Sequence, residues 1–151
     1  MKEEKDSVYF PSEKGIPMAV LFGGFILFIV LVYIFGGEPF GYQIITYNSL
    51  FGYIISALMV ALLLWIWFGT GYYVHEKQLK ITFGPFKWSI DPKQIKKISK
   101  EKSPVTAPAL SNNRLAIYYK TYKVISVSPK NREAFIQRLK DTNANIVVED
   151  I

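Results

Sequence analysis

Cysteine is absent from the 151 residues. Its absence excludes disulfide staples, thiolate metal sites, thiol nucleophiles and a lipidated cysteine together. Histidine occurs once, as His75. A metal site built on two or more imidazoles is therefore excluded, and a Ser-His-Asp arrangement would have to use this residue, which reads as an ordinary strand histidine. The carboxylates after residue 70 (Glu76, Asp91, Glu101, Glu133, Asp141, Glu149 and Asp150) show no paired spacing on one element that would suit general acid–base work. Gly69, Gly71 and Gly84 belong to no phosphate-cradling or dinucleotide pattern. The sequence thus offers no catalytic centre, no metal site and no cofactor site.

Charge is also lacking, but only regionally. Residues 16–68 hold a single charged residue, Glu38, whereas residues 70–151 carry fifteen Lys/Arg against seven Asp/Glu, a balance of +8 within a total of +6. The chain is chemically two regimes. In the first, Ile16–Phe35 is a run of twenty uncharged, mostly apolar residues, and Ile44–Phe68 is a second run of twenty-five. Each is long enough for a hydrocarbon core of roughly 30 Å. A cleaved signal peptide is not the expectation, because its apolar core is shorter, about 7–15 residues, and a small-residue cleavage site follows it. Pro17 suits a first helical turn, and Gly36-Gly37 with Pro39 ends the run. Two transmembrane helices joined by the short link "GGEPFGYQ" form an antiparallel hairpin.

Orientation follows from the lysines beside the spans. Lys2, Lys5 and Lys14 precede the first, none lies in the link, and Lys77, Lys80 and Lys87 follow the second, which places both termini in the cytoplasm of a multi-pass cell-membrane protein. Trp65, Trp67, Tyr72 and Tyr73 stand where an interfacial aromatic belt would anchor the second helix. Asn48 and Ser49 lie near its outer end, and Gly52 and Ser56 make a small-xxx-small pair. Close packing of the two helices accounts for that pair, and an oligomerisation face is the competing use. Neither span contains an ionisable residue, which argues against a transporter or proton-relay core.

From Gly71 the hydrophobic period becomes two. "YYVHE" is a first strand; Leu79, Ile81 and Phe83 form the next; Phe86, Trp88 and Ile90 a third, with Gly84-Pro85 as the tight turn between the last two. After Asp91-Pro92, Ile95 and Ile98 lie three apart among Lys93, Lys96, Lys97, Lys100 and Lys102. This spacing favours a turn leading into a strand, with lysines that would discourage edge-to-edge pairing. Leu115, Ile117 and Tyr119 alternate, then Val124 or Ile125 and Val127, giving a second hairpin. A helix closes the series, with Ser128 as its cap, Pro129 at its first position and Phe135, Ile136 and Leu139 on its inner face; "NIVVED" adds a short extended tail. The order β-β-β, connector, β-β, α describes an α+β antiparallel domain over residues 71–148. It follows a cytoplasmic segment (1–15) and the hairpin (16–68).

These stretches also carry a resemblance. "YYV" followed by "LKITFGPFKWSIDPKQIKKI", "SPVTAPALSNNRLAIYY" and "VISVSPKNREAFIQRLK" look like the small bacterial pleckstrin-homology-like domains of the YyaB type, a group that includes the sublancin immunity protein. The most specific element is the loop carrying Pro104, Ala107, Pro108, Ala109, Leu110, Ser111 and Arg114. The resemblance implies a bent antiparallel sheet or partial barrel closed by one C-terminal helix, tethered to a membrane and without enzymatic activity. The expected function is a membrane-anchored binding module at the cytoplasmic face, acting on a protein or peptide partner. Immunity to a membrane-active peptide and service as an accessory subunit of a larger membrane complex are the alternatives.

The basic balance fits a face near anionic lipid, with Lys77, Lys80 and Lys87 nearest the bilayer and Lys93, Lys96, Lys97, Lys100 and Lys102 as the densest cluster. Nothing in the lysine spacing marks a defined headgroup pocket. Nucleic acid is set aside, because no recognition-helix or stacking-platform motif is present.

Overall fold

A computed structural model describes residues 7–35, 50–101 and 109–149. Two long helices, α1 (Ile16–Phe35) and α2 (Leu50–Gly69), precede most of a sheet-rich domain with a C-terminal helix, so the α+β class holds. The link, residues 44–49 with Asn48 and Ser49, Lys102, Pro104, Ala107 and Pro108 lie outside the described residues.

One strand comes before the helices. Val8–Pro11 is β1, and it pairs antiparallel with β2 (Gly71–His75), Tyr9 opposite Tyr73 and Phe10 opposite Tyr72. Residues 1–15 were expected only to flank the first helix, and no alternation singles out so short a strand. The helical pair is consequently inserted between two neighbouring strands of one sheet. The chain leaves that sheet beyond Pro11 and rejoins it at Gly71, so α1 starts and α2 ends on the same side of the domain.

The first sheet is completed by β3 (Gln78–Phe83) and β4 (Phe86–Ile90), in the order β1-β2-β3-β4. Gly84 makes the β3–β4 turn at φ 56, a left-handed conformation that glycine adopts without strain. The second sheet contains β5 (Ile95–Glu101), β6 (Arg114–Tyr119), β7 (Lys123–Val127) and β8 (Val147–Glu149), in the order β7-β6-β5-β8.

Two expectations change in the second sheet. Strand β5 lies between β6 and the parallel β8, so its lysines do not guard an edge. The three-residue spacing of Ile95 and Ile98 reflects a register shift between Ile95 and Lys97 inside the strand. The extra residue turns both isoleucines inward, and they are buried. A 3-10 turn, Pro92–Gln94, capped by the Asp91 carboxylate on the Lys93 N–H, does precede it.

The inward alternation of both sheets supplies the core. Tyr72, Val74, Leu79, Ile81, Ile98, Leu115, Ile117 and Val127 meet Phe135, Ile136 and Leu139 of α3 (Arg132–Thr142) there. Phe135 takes Phe10 edge-on at 5.3 Å between ring centres and Tyr72 at 5.9 Å. The helix cap is Asn131, whose side chain accepts the Ala134 N–H, and not Ser128. Ser128 is buried and serves the junction described below.

The helices contrast with this core. No residue of α1 is buried, and Gly52 is the one buried residue of α2. At about 1.5 Å per residue, each is long enough to cross a hydrocarbon core of roughly 30 Å. They touch through a Tyr33–Ser56 hydroxyl pair at 2.7 Å and stacked Tyr33 and Tyr53 rings 5.0 Å apart. Gly52 and Ser56 thus lie in the packing of one helix against the other.

Candidate functional site

Two places in the fold concentrate polar side chains. The first is the junction where the chain leaves the sheet for α1. Beyond β1, Ser12 bridges Pro129, the Pro11 carbonyl accepts the Lys130 N–H at 2.9 Å, and the Glu13 N–H donates to the Ser128 carbonyl at 2.6 Å. Gly15 then donates to the Leu110 carbonyl at 2.9 Å, just before Ala19 makes its helical bond to Gly15. The leading segment therefore runs from the first sheet onto the second and ties the two together.

Side chains complete this junction. The Tyr72 hydroxyl accepts the Ser128 N–H at 2.9 Å and lies 3.4 Å from the Ser12 hydroxyl. Ser12 and Ser128 hydroxyls are 3.2 Å apart, and Ser128 Oγ also accepts the Leu110 N–H at 3.2 Å. Ser111 donates to the Glu13 carboxylate at 3.1 Å, while Arg114 Nε donates to the Ser111 carbonyl at 2.7 Å. Burial pushes the Tyr72 hydroxyl above its ordinary value of 10.0; the bonds to Ser12 and Ser128 and the charge of Arg114 oppose that rise only in part.

This geometry assigns a job to the described part of the sequence's most distinctive loop. Ala109, Leu110, Ser111 and Arg114 are all buried; Leu110 and Ser111 clamp the segment that feeds α1, and Arg114 holds the Ser111 carbonyl. Tyr72 is a correction. It was placed in the interfacial belt, yet it is 0% exposed, because the period of two turns it inward one residue after Gly71. Ser12 and Glu13 were missed, and Ser128 was read as a helix cap; Ser12 and Glu13 find partners 60 to 116 residues away along the chain, and no local pattern announces such contacts.

The second place is the outer face of the first sheet. Alternation puts Tyr9, Tyr73, His75, Gln78, Lys80, Thr82, Lys87 and Ser89 there, and no carboxylate of β1–β4 joins them. An open groove of about 510 Å³ runs along this face from Gly69 and Gly84 to His75 and Lys77. Lys77, Lys80 and Lys87, separated by up to ten positions in sequence, all line it. Lys80 pairs in register with Ser89, and Lys87 with Thr82. The His75 Nδ1 accepts the Lys77 N–H at 3.3 Å, so a neutral ring carries its proton on Nε2. Tyr73 packs on Tyr9 at 4.7 Å; partial burial, then the neighbouring Tyr73, raises the Tyr9 hydroxyl above 10.0.

The groove is fixed to the end of α2. A side chain at Gly84 would meet Ile66, 2.7 Å from its Cγ1, and one at Gly71 would meet the Tyr9 ring at 2.5 Å. Both glycines let the sheet approach closely. Trp65 is exposed on α2, while Trp67 packs against Phe22 at 5.7 Å. The Lys14 ammonium stands 5.3 Å from the Trp67 ring centre and 4.7 Å from that of Phe68. Cations and aromatic rings thus meet at one level, where the apolar helices end.

The remaining candidate lysines do not converge there. Lys93, Lys96 and Lys100 are exposed on the 3-10 turn and β5, and Lys97 pairs with Glu149 of β8 while lying 5.7 Å from the Tyr118 ring centre. At the free edge of the first sheet, Phe86 and Trp88 are 54% and 37% exposed although they point toward the apolar side. The sequence expected them buried, but β4 is the end strand of its sheet, and among the described residues no further strand covers its outer half.

Comparison with known proteins matches residues 70–143 to the family described as bacterial PH domain. Over 99 residues, 64% of this chain and 68% of the other, it is 29% identical to the uncharacterised protein YyaB of Bacillus subtilis (strain 168). No solved structure matches. The sheet-rich part of the chain is thus similar to the bacterial PH domains and to YyaB.

Proposed function

We propose that this bacterial PH-like domain is a non-enzymatic binding module held at the cytoplasmic face of the cell membrane by the α1–α2 hairpin. The observation that carries the reading is the pairing of β1 with β2 around two exposed apolar helices. A domain whose adjacent strands flank the hairpin rests against the bilayer surface instead of hanging from a linker. Lysines on the domain side, including Lys14, Lys77, Lys80 and Lys87, favour the cytoplasm by the positive-inside rule.

A binding role is supported by how the polar groups are used. The buried hydroxyls of Ser12, Tyr72 and Ser128 are engaged with one another and with backbone, holding the junction together. What faces outward is the β4 edge, which no strand among the described residues pairs, with Phe86 and Trp88 exposed beside it. An extended peptide or protein segment can add to such an edge, with main-chain bonds for affinity and aromatic contacts for selectivity.

The absence of cysteine makes topology directly measurable. A Tyr122→Cys variant, at a residue 94% exposed in the β6–β7 turn, should react with a membrane-impermeant maleimide in inverted vesicles and stay unlabelled in intact cells. Labelling in intact cells would place the domain outside. A photo-crosslinking residue at Trp88 should then trap a discrete partner, and an unchanged gel pattern after irradiation would remove the β4 edge as the binding surface.

A further inference from the structure

The β4 edge permits a more specific statement, which rests on the membrane and binding readings above. We propose that the segment it receives is the juxtamembrane stretch of another membrane-spanning chain, paired with β4 directly as it leaves the bilayer. A Cβ at Gly84 would lie 3.1 Å from the Ile66 Cα, and one at Gly69 would lie 3.4 Å from the Gly84 Cα, so the β3–β4 turn rests against the last turn of α2. Phe86 opens β4 two positions after Gly84. The edge therefore starts level with the end of an apolar helix, and at roughly 3.3 Å per residue it extends only about 13 Å beyond.

The chain builds the same sheet in this way from its own segments. Strand β1 ends at Pro11, shortly before α1 begins at Ile16, and β2 begins at Gly71, just after α2 ends at Gly69. Both strands enter the sheet beside an apolar helix without a long linker. Of the two outer strands, β1 is tied to the second sheet at Ser12, whereas no strand among the described residues pairs with β4. So short an edge offers few main-chain bonds, about four, which on their own amount to roughly millimolar affinity. A segment confined to the same membrane beside α2 meets the edge at high effective concentration, which a freely diffusing peptide does not.

The chemistry of the edge describes the segment. The two-residue turn with Gly84 at φ 56 makes Phe83 and Phe86 a hydrogen-bonded pair, and bonding then alternates along the strand. Phe86 and Trp88 bond inward to β3, while Lys87 and Ser89 turn their main-chain groups to the free edge. Phe86 and Trp88, with ring centres 6.2 Å apart, stand on the apolar side of the sheet, and Lys87 stands on the polar side. The matching segment is extended, with apolar residues at alternate positions beside the two rings and a polar or acidic residue beside Lys87.

The test places a benzophenone amino acid at Phe86 or at Trp88 of the full chain in living cells and reads the captured residue by mass spectrometry. From Phe86 that residue should lie within about five positions of an apolar span in a second protein, and from Trp88 about two positions further from the same span. Ser89→Pro removes an N–H aimed at the free edge and leaves the bonds to β3. It should lower the crosslinked yield about tenfold, whereas Ser89→Ala should leave the yield unchanged. An unchanged yield in a folded Ser89→Pro variant would overturn strand addition; if that variant does not fold, the two-position shift between the probes decides alone. Capture of a segment remote from any span would overturn the juxtamembrane assignment in favour of a soluble partner and leave the binding reading standing. Capture of a second copy of this chain would overturn it in favour of self-association, and lipid adducts alone would assign the rings to the bilayer interface. Carbonate extraction separates the remaining premise. Release of the parent from membranes removes the membrane reading, whereas a retained parent that yields no adduct from either probe removes the β4 edge as a binding surface and this proposal with it.

Discussion

The two sheets have the same number of strands and share one core, yet they treat their lysines differently. In the first sheet, Lys77, Lys80 and Lys87 are gathered on one outward face beside the end of α2. In the second, the denser series from Lys93 to Lys100 is spread along a single strand and its leading turn, with Lys97 taken up by Glu149 and Tyr118. Density along the chain is therefore a poor guide to a site. Register across strands decides which charges share one neighbourhood, and only the first sheet's register is tied to the two apolar helices.

The comparison can be broken most severely at β1, the strand that belongs to the first sheet but also grips the second. A chain beginning at Thr70 would lack Phe10 against Phe135 and the Ser12 contacts to Tyr72 and Ser128. It would also leave β2 with a bare edge. Such a fragment should fail to fold cooperatively, because removing one buried aromatic alone costs about 3–5 kcal/mol, a large part of the stability of a small domain. A peptide covering residues 7–15 should restore order when added in trans. A sharp thermal transition for the fragment alone would show that β1 is dispensable.

A smaller effect is expected from Tyr72→Phe, which keeps the ring in the core but leaves the Ser128 N–H without its acceptor. The loss should be about 1–3 kcal/mol in a denaturant melt of the full chain in detergent, and a neutral result would mean that water replaces the hydroxyl. The same group sets an alkaline limit. Its folded value lies above the ordinary 10.0, so the folded state holds the phenolic proton more tightly than the unfolded state. Its contribution is complete below pH 10.0 and disappears as pH rises through the higher folded value. Melts above pH 10.0 should therefore show less of a stability decline in Tyr72→Phe than in the parent.

The smallest effect sharpens the contrast on the second sheet. Lys97→Ala removes a half-exposed ion pair with Glu149, and a change of about 0–1 kcal/mol is expected, reduced further by salt. A larger loss would mean that β8 is held by this pair instead of by its backbone ladder to β5 and by buried Ile146.

Local period was enough for much of the architecture. Ile16–Phe35 is helical from end to end as its apolar length implied, and the alternations through Ile81, Ile117 and Val127 are the buried faces of strands. Where the reading went astray, a neighbour from elsewhere in the chain had intervened. Ser128 looked like a helix cap beside Pro129, but Ser12 and Leu110 claim it and the cap passes to Asn131. Tyr72 looked like a belt residue beside Trp67, but β1 and α3 close over it. Phe86 and Trp88 looked buried, but among the described residues no fifth strand of that sheet pairs with β4.

The sequence by itself determined the chemical division of this protein: two apolar runs each long enough to cross a membrane, and a basic α+β domain after them. Span length and the two-residue period are local quantities, set by bilayer thickness and by the pleat of a strand. Only the tertiary structure decided that the hairpin is inserted within the sheet, that the Leu110–Arg114 loop is its clamp, and that three lysines share one groove. Each of these depends on pairing residues far apart in the chain, such as Phe10 with Tyr72, whose adjacency is set by burial and register and leaves no mark on the residues next to either of them.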